Sequence, residues 1–184
     1  YGTIVNAGSN MQRDGFSSFK GTVILDGIIL RIGEFAQFGN MKGFIFKNGG
    51  GFRTRSASGG SWSNSKLPVF IEETGGIVVP DTSKISASVP FYGGTLTCIA
   101  GVSWTYVGKM AVSVFTNNTS TAIMGSGANL FNGRIVNAQG AMQFNDGVTF
   151  TNGLSETVIT PVDLLAGTIK AGESSLETFN LKLK

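Results

Sequence analysis

The stretch Gly133-Arg134-Ile135-Val136-Asn137-Ala138, continued by Met142-Gln143 and Asp146-Gly147, has a near-copy at the other end of the chain. There Gly2-Thr3-Ile4-Val5-Asn6-Ala7 is continued by Met11-Gln12 and, one residue sooner, by Asp14-Gly15. Each copy reads as an Ile-Val strand turning at Asn-Ala, a polar crossing, and an Asp-Gly hairpin turn, because Asp and Gly both tolerate positive φ. Two equivalent strand-hairpin units at opposite ends imply a pseudo-symmetric β domain. They also imply a terminal strand able to occupy, in a neighbouring copy, the slot its twin occupies at home. A solenoid of many coils is disfavoured on this reading, since no third copy follows at a fixed period.

Outward from this pair, apolar runs rich in β-branched and aromatic residues recur between Gly, Asn, Asp and Ser clusters at roughly ten-residue spacing, an all-β rhythm. The expected strands cover 22–25, 28–32, 43–47, 67–71, 77–79, 84–89, 95–99, 103–107, 110–115, 133–137, 148–150 and 177–183. Val23-Ile24-Leu25 and Val69-Phe70-Ile71 are apolar at consecutive positions, which predicts burial on both faces. The C-terminus alternates instead, with Phe179, Leu181 and Leu183 on one face and Asn180, Lys182 and Lys184 on the other. Thr160 as N-cap, Pro161, Asp163 and the terminator Gly167 predict one short helix over 161–166. Gly-rich segments at 48–51 and 56–61 read as long loops, and no shift in composition marks a boundary. The expectation is one domain over 1–184, an antiparallel β-sandwich or jelly-roll-like fold.

The 184 residues include 27 Gly and no His, a single Cys, and only 14% charged residues. Without histidine there is no Ser-His-Asp triad, no Cys-His pair and no histidine-ligated metal. No cofactor and no metal are expected. The net charge of +3 comes from 14 cations and 11 anions spread along the chain, which is not the clustered footprint of a nucleic-acid clamp. The longest apolar stretch, Val23 to Ile32, is interrupted by Asp26, Gly27 and Arg31, so no membrane insertion is expected. Tyr1 in place of Met reads as a processing site or an artificial boundary. Cys98, within Leu96-Thr97-Cys98-Ile99, reads as a small apolar residue of a buried strand.

Few constellations carry chemistry. Glu72 and Glu73 are adjacent and point to opposite faces of a strand. Asp26, Glu34, Asp81 and Asp146 would have to converge from separate elements to serve a hydrolase. Gly101 to Lys109 has the wrong spacing for a phosphate loop, with Met110 where Ser or Thr is needed. Gly125 and Gly127 lack the third glycine of a dinucleotide fingerprint. Phe52-Arg53-Thr54-Arg55, with Lys42, Lys47 and Lys66 near in sequence, is a candidate contact for a polyanion or partner, or equally a charged edge that discourages mispairing. Trp62, Tyr92, Trp104 and Tyr106 are the aromatics available for stacking on sugars. Trp104 and Tyr106 read better as same-face core residues, and Trp62 as the exposed candidate. Asn117-Asn118-Thr119-Ser120 holds two overlapping glycosylation sequons, expected in a turn.

Abundant Gly, Asn, Ser, Thr and Phe with sparse charge resembles phage or virus structural proteins and extracellular fibre subunits in composition alone. The expected function is that of a non-enzymatic, self-assembling structural subunit located extracellularly, at a cell surface or in a virion. A capsid decoration, spike, tail-fibre element or pilus-like filament joined by strand addition would each fit. The alternative is an adhesin module for a host surface glycan or receptor, contacting it through Phe52, Arg53, Arg55 and Trp62. Thr3, Ile4, Val5, Phe179, Leu181 and Leu183 are the candidate strand residues between copies, and copies of the chain the expected partners.

Overall fold

The computed structural model of the chain describes residues 18–32, 38, 40–54, 61–62, 66–80, 85–99, 104–125, 127–130, 133–145, 148–150, 161–165, 167–171 and 180–183. Its strands fall into successive coils of the chain. The first coil holds β1 (Thr22–Asp26) and β2 (Ile29–Ile32), and the second β3 (Gly43–Lys47), β4 (Gly50–Thr54) and β5 (Ser61–Trp62). The third holds β6 (Val69–Ile71), β7 (Gly76–Val79) and β8 (Ile85–Ala87), and the fourth β9 (Phe91–Ile99) and β10 (Trp104–Tyr106). The fifth is the long β11 (Lys109–Met124), and the sixth β12 (Asn129–Leu130) and β13 (Arg134–Phe144). A seventh holds β14 (Thr149–Phe150), β15 (Pro161–Leu164) and β16 (Thr168–Ala171), followed by β17 (Asn180–Leu183).

Every pairing joins a strand to its counterpart in the next coil, and every one is parallel. Three faces result. The first carries β1, β3, β6, residues 91–93, residues 109–112, β12 and β14. The second carries β2, β4, β7, residues 95–99, residues 114–118, residues 134–137, β15 and β17. The third carries β5, β8, β10, residues 121–124, residues 141–144 and β16. This is a β-solenoid, each coil adding one strand spacing of roughly 4.8 Å to its length.

The antiparallel sandwich or jelly-roll is therefore overturned, and with it the argument against a solenoid. One register column of the first face runs Val23, Phe44, Val69, Phe91, Met110, Leu130, Phe150, with steps of 21, 25, 22, 19, 20 and 20 residues. The repeat is real but its length drifts, and a coil absorbs extra residues at its bends without disturbing the ladder. A search for one fixed period misses it. The echoed segment 134–144 is a coil strand, β13, paired in parallel to β11 on one side and to β15 and β16 on the other, not the arm of a hairpin. Residues 146–147 and the first copy at 2–15 lie outside the described residues. The expected helix over 161–166 is the strand β15: Pro161 takes the first position of a strand, which tolerates proline as well as a helix start does.

Side chains from all three faces meet inside. The second-face column Leu30, Phe52, Val78, Cys98, Asn117, Asn137 is buried throughout. In and just before the second coil aromatic rings meet edge to face across the interior, Phe38 with Phe44 (5.5 Å, 87°), Phe44 with Phe52 (4.9 Å, 88°) and Phe46 with Phe52 (4.6 Å, 86°). The chain of rings continues through Phe91, Tyr106, Trp104 and Phe115. Such contacts contribute beyond the area they bury, by about 0.5–1.5 kcal/mol per pair. Burial pushes the Cys98 thiol up in pKa, so it is held neutral as packing rather than as a nucleophile.

Candidate contact face

Among the described residues, those singled out by sequence fall on different parts of the stack. Phe52 is wholly buried in the ring cluster, whereas Arg53 beside it is exposed on β4 and in register with exposed Arg31 on β2. Arg55 lies outside the described residues. Trp62 is in β5, paired with β8, though the placement of its side chain is not described. Of the terminal strand residues, Thr3, Ile4, Val5 and Phe179 lie outside the described residues, and Leu181 and Leu183 sit in β17, in register with Val162 and Leu164. Trp104 and Tyr106 are core residues. The Tyr106 hydroxyl reaches the carbonyls of Val89 at 3.0 Å and Lys109 at 2.5 Å, and burial, then the neighbouring Tyr92, raises its pKa.

Of the acids, Glu72 and Glu73 are exposed after β6 and Asp26 is exposed at the end of β1, while Glu34, Asp81 and Asp146 lie outside the described residues. No group of three or more His, Cys, Asp or Glu able to hold a metal occurs among the described residues. Among them, no helix is long and apolar enough to cross a membrane.

The sequon at Asn117 does not form a turn. Asn117 lies within β11, fully buried, its amide donating to Asn137 Oδ1 at 2.6 Å and to the carbonyls of Gln139 and Ala141 at 3.1 and 3.3 Å. Asp163, expected at a helix start, is instead a buried strand residue whose carboxylate accepts hydrogen bonds from Nε and Nη2 of Arg134 one coil away.

What the structure does assemble on its surface is an apolar ridge on the first face. Strand residues alternate in and out. In β1, β3, β6 and β9 the outward position of the column is filled by Ile24, Ile45, Phe70 and Tyr92, each in register with the next. Ile24 is 44% and Phe70 49% exposed, and Ile45 and Tyr92 are half-buried. The Phe70 and Tyr92 rings stack along the solenoid axis, centroids 5.6 Å apart and tilted by 28°, and Lys109 Nζ stands 5.5 Å from the Tyr92 centroid. The rings thus support one another and present their edges outward, which makes a ridge rather than a flat platform.

Two positions further along each strand runs a parallel column of charge. Asp26 is in register with Lys47, and Glu72 continues the ladder by donating its N–H to the Phe46 carbonyl at 3.0 Å. The Lys47 ammonium lies 3.8 Å from the Glu72 carboxylate, both side chains well exposed (39% and 48%). Asp26 also accepts a hydrogen bond from the Asn48 side chain at 2.7 Å. The apolar triplets 23–25 and 69–71, expected to be buried on both faces, instead turn Ile24 and Phe70 outward, and only the register of coils places these two in one line. No family model, no curated protein and no solved structure matches the chain.

Proposed function

We propose that the chain is a structural, self-assembling shaft segment of an extracellular, cell-surface or virion fibre, working by contact rather than by chemistry. The observation that carries this reading is the ridge Ile24, Ile45, Phe70, Tyr92, an unbroken apolar line on the outside of a regular stack. Contiguous exposed apolar surface marks an interaction site, and the parallel ladder of the first face carries it over four coils. The low charge of the chain, 14% of residues, points the same way, since a domain that lives alone in water carries more.

Multi-angle light scattering over a concentration series tests the reading: a mass above that of the monomer, rising with concentration, is expected. A strict monomer at high concentration would remove it. That outcome, joined with retention by an acidic glycan that Arg53→Ala abolishes, would favour the adhesin reading. The in-register pair Arg31 and Arg53, repeated at one coil spacing, suits the acid groups of such a polymer.

A further inference from the structure

We infer that the ridge face docks a second copy of this chain, with its solenoid axis antiparallel, across a two-fold axis. The axis runs along the strand direction and passes midway between the second and third coils. This rests on the self-assembly reading and specifies its geometry. A face pairs with itself through a two-fold axis lying in the interface, and on a face built of parallel strands that axis has two natural directions.

If it runs along the solenoid, each coil meets the same coil of the second copy and the strand direction is reversed. Lys47 then faces the second copy's Gly43 and Glu72 faces the second copy's Pro68, so the charges find no partner. If it runs along the strands, the coil order is reversed and the position along each strand is kept. Coil two then meets coil three and coil one meets coil four. Ile45 packs against the second copy's Phe70, and Ile24 against the second copy's Tyr92. In the charged column Lys47 comes opposite the second copy's Glu72, and Glu72 opposite its Lys47.

The alternation of Lys47 and Glu72 in adjacent coils, 3.8 Å apart within one chain, is thus complementary to its own two-fold image. Four charges of alternating sign close into a ring beside the apolar ridge. Charge complementarity of this kind sets orientation and register more than it adds affinity. The choice between the two axes falls to the one along the strands, with the solenoids antiparallel, on that ground.

Sedimentation velocity on the whole chain tests it through charge reversal. Lys47→Glu places two like-charge contacts across the two-fold, as does Glu72→Lys, and each is expected to weaken dimerisation by about tenfold. The double variant Lys47→Glu/Glu72→Lys re-creates the alternating ring and is expected to restore the wild-type dimer. Phe70→Ser, an exposed position whose loss leaves the core intact, is expected to abolish it, with thermal melting as the check on folding. If the chain associates but the single reversals leave the dimer unchanged, or the double variant fails to rescue, this geometry is overturned and self-assembly stands on another face. If the wild type is monomeric throughout, both fall together.

Discussion

Phe52→Ala is expected to lower the unfolding free energy by about 3–5 kcal/mol, a large share of the roughly 5–15 kcal/mol that holds a domain of ordinary stability. The ring is fully buried and stands edge-on to both Phe44 and Phe46. Above and below it in the column are Leu30 and Val78. Removing it opens a hole between coils whose backbones are pinned by ladders on both sides, so the walls have little freedom to close. Urea titration followed by intrinsic fluorescence measures the change. The comparison is Phe70→Ala, which removes an equal ring from the outer ridge of the same stack and should cost less than about 1 kcal/mol in the monomer. Equal losses at the two positions would contradict the inward and outward assignment of the strands.

Asn117→Leu is expected to cost about 3 kcal/mol or more, although every inward neighbour on its N-terminal side, Cys98, Val78, Phe52 and Leu30, is apolar or a neutral thiol. The reason lies in the bend. The pairing of β11 with β13 slips in register between Asn117 and Asn118 and again between Asn118 and Thr121. Where a ladder slips, backbone carbonyls are left without the N–H they would otherwise meet. The Asn117 amide donates to two of them, Gln139 and Ala141, and to Asn137 Oδ1, while Asn137 donates to Gly140. A leucine leaves the buried Asn137 Oδ1 and the part-buried carbonyls of Gln139 and Ala141 without this donor, at about 1–3 kcal/mol for a buried group left unsatisfied. A double-mutant cycle with Asn137→Leu should show a coupling of about 1 kcal/mol or more, because the two amides satisfy one network. Strict additivity would refute the shared role.

These two residues also show where sequence reading succeeded and where it stopped. Each of the twelve expected strands overlaps an observed one, since β-branched and aromatic runs with Gly and Asn punctuation report extended backbone whatever its partner. The partner is another matter. Nothing in Val23-Ile24-Leu25 distinguishes a parallel neighbour 21 residues on from an antiparallel one across a turn, and the dipeptide Asp26-Gly27, with Gly27 at φ 64°, joins β1 to β2 at a bend of the coil.

The first half of strand β4 was hidden because Gly50 and Gly51 look like loop. In the stack they are required: a Cβ on Gly50 would lie 1.8 Å from the Leu25 carbonyl oxygen, and one on Gly51 1.7 Å from that of Ile77. Asn117 reads as a turn residue because asparagine usually serves turns, and its burial follows only from the register slip. The ridge was half legible. Its residues are visibly apolar, but their alignment needs the coil lengths, which vary. Of the candidate contact Phe52-Arg53-Thr54-Arg55, Arg53 is exposed and Phe52 belongs to the core, while Arg55 lies outside the described residues.

The claim on which the ridge, the asparagine pair and the proposed dimer all depend is that successive coils stack in parallel and in register. Oxidation of a Thr105→Cys/Ile123→Cys variant, in a Cys98→Ala background, measures this directly. Thr105 on the third face is in register with Ile123 of the next coil, and both are only half-buried. A spacing of one strand, roughly 4.8 Å, is within the range a disulfide spans, whereas two coils, roughly 9.6 Å, are beyond it. Rapid, near-complete formation of the intramolecular disulfide is expected, resolved by mass and by mapping of peptides, and none in the control Thr105→Cys/Gln143→Cys, whose cysteines stand two coils apart. Failure of the first pair to close, or closure of the second with equal ease, would contradict the parallel stack.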